Sequence, residues 1–316
     1  MHLFVKPFSE ITAGDVALAG GKGANLGEMY QQSIPVPNGF VVLSACFREF
    51  IGLTRLEEEL ATALKSVNGD DIDAMQSLSD TLTHRILEAP VPGDMSDQTL
   101  RYFDQLGAPL VAVRSSATAE DGADSAWAGQ LDTYLGTTRD DLLNNIKRSW
   151  ASLYTPRALS YRFQKKLMGS DIAVAVVIQE MVASEVSGVS FSVHPVTQDP
   201  NQLIIEAGFG LGEAVVSGLI TPDSYVVRKS DLTILEDNPS SQEKGIFLNS
   251  QGGSDWKELS PDQQTQKKLK PDEIVGLARQ VIRIESLFGY PCDIEWARKG
   301  DQWYILQCRP ITTLGQ

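Results

Sequence analysis

Two apolar stretches near the C-terminus, residues 292–297 (CDIEWA) and 302–308 (QWYILQC), read as β-strands separated by the turn-forming residues Arg298, Lys299, Gly300 and Asp301. Successive strand residues point to opposite faces, so Asp293 and Glu295 share one face and Gln307 and Arg309 share one. A hairpin that brings those polar faces together gathers all four side chains at one end of a strongly apolar pair. Burying such a set with no compensation costs several kcal/mol. The four must therefore either neutralise one another or hold a ligand. Carboxylate and amide oxygens suit Mg²⁺, which takes one or two protein carboxylates plus substrate phosphates, and an arginine suits the phosphates themselves. A structural salt-bridge cluster is the competing reading.

Weaker signals lie upstream. The segment GGKGANLG from Gly20 places glycines and Lys22 just before a helix over 23–32. Exposed backbone N–H groups and a lysine at a helix start attract phosphate, although a plain glycine turn accounts for the segment equally. It is not a P-loop, because that motif needs Gly at position 17 and Ser or Thr at 23, where this chain has Ala17 and Gly23. Residues 110–113 read as a buried strand ending at Arg114, whose guanidinium is placed either to fork onto phosphate or to pair with Glu120 or Asp121. Gln179, Glu180, Met181 and Val182 end the apolar strand that begins at Ile172. Main-chain groups there can meet an adenine edge, or the segment is a simple connector. The run GFGLGE from Gly208 lacks both the spacing and the βαβ setting of a dinucleotide site.

Between these segments, apolar residues recur at helical spacing over 55–67, 72–87, 97–106, 140–168 and 271–288, and Ser44 is expected to cap a helix through Phe50. Strands are expected over 172–181, 188–193, 203–206 and 224–228, with a polar ribbon or insertion over 238–270. With 316 residues and 42% hydrophobic content, the chain is long enough for two packed units or one two-lobed domain. Counting 27 Lys and Arg against 41 Asp and Glu gives a net charge of −14, which argues against a nucleic-acid partner. The longest apolar run, residues 172–178, is far shorter than the ~18 residues of a membrane span. With no secretory signal at the start, a cytoplasmic location is expected. Cys46, Cys292 and Cys308 have no metal-site spacing and fit reduced, buried thiols.

Taken together, the segments resemble the ATP-binding (PEP/pyruvate-binding) domain of the phosphoenolpyruvate synthase and pyruvate phosphate dikinase family, which includes rifampicin phosphotransferases. The resemblance runs collinearly along the chain: GGKGANLGEM from Gly20, VPNGF from Val36, VAVRSSATAED from Val111, AGQLDTYL from Ala128, SWASLYTPRALSYR from Ser149, VVIQEMV from Val176, SGVSFSVHP from Ser187, GLGEAVVSGLITPDSY from Gly210, DIEWA from Asp293 and YILQCRPIT from Tyr304. It implies an α+β, two-lobed ATP-grasp-like fold, with lobes over 1–180 and 181–316. It implies further that Lys22, Arg114 and Arg309 hold the triphosphate and that Glu295 and Gln307 hold Mg²⁺, supported by Asp293. Residues Gln179, Glu180, Met181 and Val182 would receive adenine, with Thr133 near the phosphates.

In that family a phosphohistidine on a mobile domain carries phosphate from ATP to the acceptor. Here only His2, His84 and His194 are present, and none lies in the glycine- and threonine-rich setting of that carrier. His194 stands where the family's F-T-x-N-P segment has asparagine. Gly23-Ala24-Asn25 also departs from the Asn-Ala-Ser more common in synthases, whereas rifampicin phosphotransferases tend to keep a glycine. The resemblance thus implies an Mg·ATP module working with a carrier histidine on a separate domain or chain and a small-molecule acceptor. A self-sufficient ATP-grasp kinase or ligase releasing ADP, or a non-catalytic ATP sensor, are the competing functions.

Overall fold

In the computed structural model the described residues are 3–56, 62, 71–118, 132–165, 167, 172–249, 251–312 and 314. They divide into one unit comprising Met1–Gln31 and Asn38–Met181 and another comprising Gln32–Pro37 and Val182–Gln316.

The first unit is built on an antiparallel sheet in the order β1-β2-β5-β3-β4, from β1 (Val5–Pro7), β2 (Gly39–Val42), β3 (Val111–Ala117), β4 (Thr133–Thr137) and β5 (Val174–Glu180). The side chains of Phe40, Val42, Val111, Val113, Val176 and Ile178 form one face, buried in a core with Phe47, Phe50, Ile146 and Trp150. That core is closed by helices α2 (Ser44–Leu53), α3 (Ile72–Glu88), α4 (Gly93–Leu106), α5 (Leu142–Ala151) and α6 (Pro156–Gln164). The other face receives α1 (Val16–Gln31), where Gly23 lies against Val41 and Val177. Two local expectations are corrected here. Ser44 does not cap α2: the N-cap is Leu43, and the Ser44 hydroxyl donates instead to the carbonyl of Ala17 at 2.8 Å, tying α2 to α1. Strand β3 does not end at Arg114 but continues through Ala117, because pairing with β5 satisfies its backbone as far as Val174. The helix expected over 55–67 lies outside the described residues apart from positions 55, 56 and 62; of the polar stretch 115–129, which reads as a loop in the sequence, residues 115–117 belong to β3 and 119–129 lie outside the described residues.

The second unit carries an antiparallel sheet in the order β13-β12-β6-β7-β8-β9, formed by β6 (Val186–Phe191), β7 (Gln202–Phe209), β8 (Asp223–Arg228), β9 (Ile234–Asn238), β12 (Cys292–Lys299) and β13 (Gln302–Pro310). A separate ribbon pairs β10 (Lys244–Leu248) with β11 (Ser254–Glu258), flanked by the short helices α7 (Glu213–Val216) and α8 (Pro261–Gln264). Helix α9 (Pro271–Phe288) buries Ile274, Leu277, Val281 and Ile284. Glu285 of α9 accepts from Ser192 Oγ and Lys229 Nζ, each at 2.8 Å, so α9 covers the sheet face that Ser192 shares with Ser190 and Ile294.

The segment expected as a polar insertion is anchored at its root. Asp223 and Lys268 form an ion pair of 2.8 Å whose side chains are both fully buried. The Asp223 carboxylate also accepts from Tyr225 Oη, Ser240 N and Lys268 N, and the lysine ammonium donates to the Ser240 carbonyl. The GFGLG run is held by the same segment. Gln242 accepts from Phe209 N and donates to Phe209 O, while Gly210, at φ 91, lies so close to the ribbon that a Cβ would stand 2.3 Å from the Ile246 carbonyl oxygen. Gly210 thus serves backbone packing against β10, while Gly208 lies against the side chains of Val215, Ile220 and Gln242.

Candidate functional site

Six of the candidate residues belong to the first unit: Lys22, Arg114, Thr133, Gln179, Glu180 and Met181. Helix α1 is interrupted at Gly20, whose φ of 67 and ψ of 172 are non-helical. A side chain there would meet Ser116 of β3, with the carbonyl oxygen 2.5 Å from a Cβ. The helix therefore resumes at Gly21 directly against β3, with the Gly23 N–H donating to Ser116 Oγ at 3.4 Å. Lys22 consequently lies in the first turn of the resumed helix, where the helix dipole favours an anion. On the sheet, Arg114 stands opposite Thr133 of β4 and Val177 of β5. Val177 faces α1, so Arg114, Thr133 and Gln179 share the α1 face.

Arg114 is 8% exposed, and its Nη1 donates to Oε1 of Gln179, itself 2% exposed, at 3.4 Å. The Nε2 of Gln179 has no hydrogen-bond partner among the described residues. A buried donor left this way costs about 1–3 kcal/mol, so the amide is suited to a ligand acceptor. The neighbouring N–H groups are already spent. Glu180 N donates to Asn38 O at 2.8 Å and Met181 N to Leu110 O at 3.1 Å. These two residues can face adenine only through carbonyls or side chains.

Val182, Glu295, Gln307 and Arg309 belong to the second unit. The hairpin assumed from the sequence is present: Asp293 pairs with Arg309 and Glu295 with Gln307. All four lie on the sheet face opposite α9, because Ile294 between them faces the helix. Arg309 Nε donates to Asp293 Oδ2 at 2.8 Å, and its Nη2 reaches the same oxygen at 2.7 Å. Gln307 Nε2 donates to Glu295 Oε1 at 2.9 Å, so the amide oxygen is the Gln307 side-chain atom with the chemistry to ligate a cation. The register slips immediately beyond Glu295, with Leu306 as the extra residue. A bulge next to a polar cluster re-aims the side chains beside it. Burial holds the Asp293 carboxyl above the ordinary carboxylate range; Arg309 pulls it back down and Glu295 pushes it up.

The donor set fits Mg²⁺. It consists of oxygens from Glu295 and Gln307, with the Asp293 carboxylate beside them and no sulfur or imidazole. Among the described residues no three His, Cys, Asp or Glu side chains gather closely enough to enclose a metal by themselves. Mg²⁺ ordinarily takes one or two protein carboxylates and leaves the rest of its coordination to water and phosphate.

The sequence reading passed over Glu206, a half-buried carboxylate on β7 whose signal was a lone acid within the apolar strand LIIEA. Burial raises its pKa, and Asp293 adds to the rise. The cysteines match expectation: all three are free and buried, and burial followed by the field of Glu49 pushes the Cys46 thiol up to about 12, far from a nucleophile. His84 is exposed on α3. His194 shapes a turn, its Nδ1 accepting from the N–H groups of Val196 and Thr197, both at 3.2 Å. An asparagine Oδ1 makes the same contacts. His194→Asn is therefore expected to shift stability by less than about 0.5 kcal/mol, whereas His194→Ala loses an acceptor worth about 1 kcal/mol. Urea denaturation of both variants checks the difference, and equal midpoints for the two would refute the turn assignment.

Among the described residues no helix is long and apolar enough to cross a membrane. The sequence matches the family described as "Pyruvate phosphate dikinase, AMP/ATP-binding domain" over residues 16–316. It is 38% identical to a probable phosphoenolpyruvate synthase of Methanocaldococcus jannaschii, over 98% of this chain and 27% of that protein. A probable phosphoenolpyruvate synthase of Archaeoglobus fulgidus is 41% identical over 97% of this chain and 41% of its own length. A rifampicin phosphotransferase of Bacillus cereus is 39% identical over 99% of this chain and 36% of its length. This chain thus spans less than half of each of these relatives. With the match reaching from the first residue of α1 to residue 316, the chain belongs to the pyruvate phosphate dikinase AMP/ATP-binding domain family.

Proposed function

We propose that this chain is the Mg·ATP-binding module of a dikinase-type phosphotransferase with a two-lobed, ATP-grasp-like arrangement and a cytoplasmic location. In this reading the β-phosphoryl group of ATP passes to a carrier histidine on a separate domain or chain and then to a small-molecule acceptor, with AMP and phosphate as products. The observation that carries it is the β12–β13 register, which sets Asp293 opposite Arg309 and Glu295 opposite Gln307 on one face.

Lys22, Arg114 and Arg309 engage the triphosphate. Gln179 steadies the guanidinium of Arg114 through its Oε1 and keeps its Nε2 for a ligand oxygen. Asp293 holds the guanidinium of Arg309 by one edge, and the arginine side chain remains 42% exposed for phosphate. Glu295 and Gln307 present oxygens to Mg²⁺, which when bound neutralises charge on the phosphates. The segment from Gln179 through Glu180 and Met181 to Val182 borders the adenine, and Thr133, opposite Arg114, borders the phosphates. The relatives named above are consistent with a phosphoryl-transfer role, and the turn-forming contacts of His194 support a carrier histidine located elsewhere.

The test is to incubate the chain with Mg·ATP, an acceptor and a protein bearing the carrier histidine, and to resolve AMP from ADP by chromatography. The expected outcome is AMP with an acid-labile phosphate on the carrier, and little turnover without it. Rapid ADP formation by this chain alone, with His2, His84 and His194 all replaced, would overturn the carrier reading in favour of a direct kinase.

A further inference from the structure

The sheet of the second unit aligns Gln307, Glu295, Val189 and Glu206 in one row across β13, β12, β6 and β7. Directly opposed residues share a face, so Glu206 looks out on the same side as Glu295 and Gln307. It stands two strand spacings of about 4.8 Å each from Glu295. Asp293 lies on the same face one pleat further along, and its charge is felt at Glu206.

Glu206 differs from the other inward-lying carboxylates of the sheet and α9: Glu295 accepts from Gln307 Nε2 at 2.9 Å. Asp223 is matched by Lys268, Glu285 by Lys229, Glu273 by Arg298 and Asp293 by Arg309. Among the described residues the Glu206 carboxylate has neither a hydrogen bond nor an ion pair, although it is half-buried. A stable sheet gains nothing from an unmatched carboxylate beside two others, since a glutamine there would relieve both the repulsion and the desolvation. Its effect is on whatever binds that face. A bare nucleotide polyphosphate meets repulsion from it, and a polyphosphate that brings a divalent cation does not.

Building on the function proposed above, we propose that Glu206 is a specificity-determining residue that makes nucleotide binding conditional on the divalent cation. It disfavours the uncomplexed polyphosphate and accepts the cation-complexed form. The cation need not touch it, because a charge at this separation acts through space or through the ion's water shell. Coulomb's law across about 10 Å of partly wet protein gives an effect of about fivefold in affinity per removed charge.

The experiment is calorimetric titration of the whole chain with the β,γ-imido analogue of ATP, once in EDTA and once in millimolar MgCl₂. Wild type, Glu206→Gln and Glu206→Asp are compared. Glu206→Gln is expected to tighten binding in EDTA about fivefold while leaving or weakening binding with Mg²⁺, so that the Mg²⁺ preference collapses by at least that factor. Glu206→Asp, which keeps the charge, should retain the wild-type preference. An apo melting temperature at or above that of wild type verifies that the glutamine variant is folded. An unchanged Mg²⁺ preference, or equal weakening of both forms, overturns the assignment of Glu206 while leaving the nucleotide site intact. Failure of the wild-type chain to bind the analogue in either condition instead removes the nucleotide site, and the role of Glu206 with it.

Discussion

Replacing Lys268 by methionine is expected to destabilise the protein by about 3–5 kcal/mol, the usual cost of removing one partner from a buried ion pair. Both side chains of the Lys268–Asp223 pair are fully buried, so no water can take over from the lost ammonium. Tyr225 Oη, Ser240 N and Lys268 N would still donate to Asp223, but three neutral donors do not offset an enclosed charge. The damage should be local at first. Ser240 and Lys268 tie the two ends of the ribbon segment to β8, and the same segment carries the Gln242 clamp on Phe209. The melting temperature should fall by roughly 10 °C. The double variant Asp223→Asn with Lys268→Met should recover part of the loss, since it removes the unmatched charge. A single variant with a wild-type urea midpoint would sink this account.

The second large effect concerns chemistry. Glu295→Gln should leave the fold intact, because the amide carbonyl can still accept from Gln307 Nε2 as Oε1 does now. It deletes one negative charge from the proposed cation site, which draws on few protein oxygens. Even residues that only orient a metal ligand typically cost about 10- to 100-fold when replaced, so if Glu295 is the direct ligand proposed above, its loss should reduce AMP formation by at least about 100-fold. The Mg²⁺ concentration needed for half-maximal rate should rise in parallel. Arg309→Ala should instead weaken nucleotide binding and strip Asp293 of its guanidinium partner. Measuring the rate against Mg²⁺ and against ATP separates the two. A Glu295→Gln enzyme with full rate and unchanged Mg²⁺ dependence would show that the carboxylate is not part of the metal site.

These predictions rest on features of unequal visibility in the sequence. The alternation in CDIEWA and in QWYILQCR determines by itself which residues share a face, because strand period is a property of the backbone and needs no partner. The amphipathic helix over 271–288 is legible for the same reason, and it forms with those bounds. Signals that depend on a distant neighbour are misread. Ser44 has the chemistry of a cap, yet its hydroxyl goes to Ala17, 27 residues away in sequence. Arg114 looks like a strand end because the hydroxyls after it resemble a loop, but β5 supplies hydrogen bonds as far as Ala117. Gly20 reads as one glycine among several until the close approach of Ser116 shows why no side chain fits there.

The sequence alone thus determined the local periods, the polar set at the end of the chain and, through collinear motifs, the family. Only the tertiary structure decided strand order. β12 lies beside β6 and β6 beside β7, although about a hundred residues separate Cys292 from Phe191, and that order brings Glu206 into the row of Glu295 and Gln307. It also placed residues 32–37 in the second unit, where Ile305 N donates to Pro35 O at 2.9 Å. Local propensity acts over a few residues, whereas pairing between distant strands is selected by the burial and hydrogen bonding of the whole sheet, so no stretch of sequence carries that information on its own.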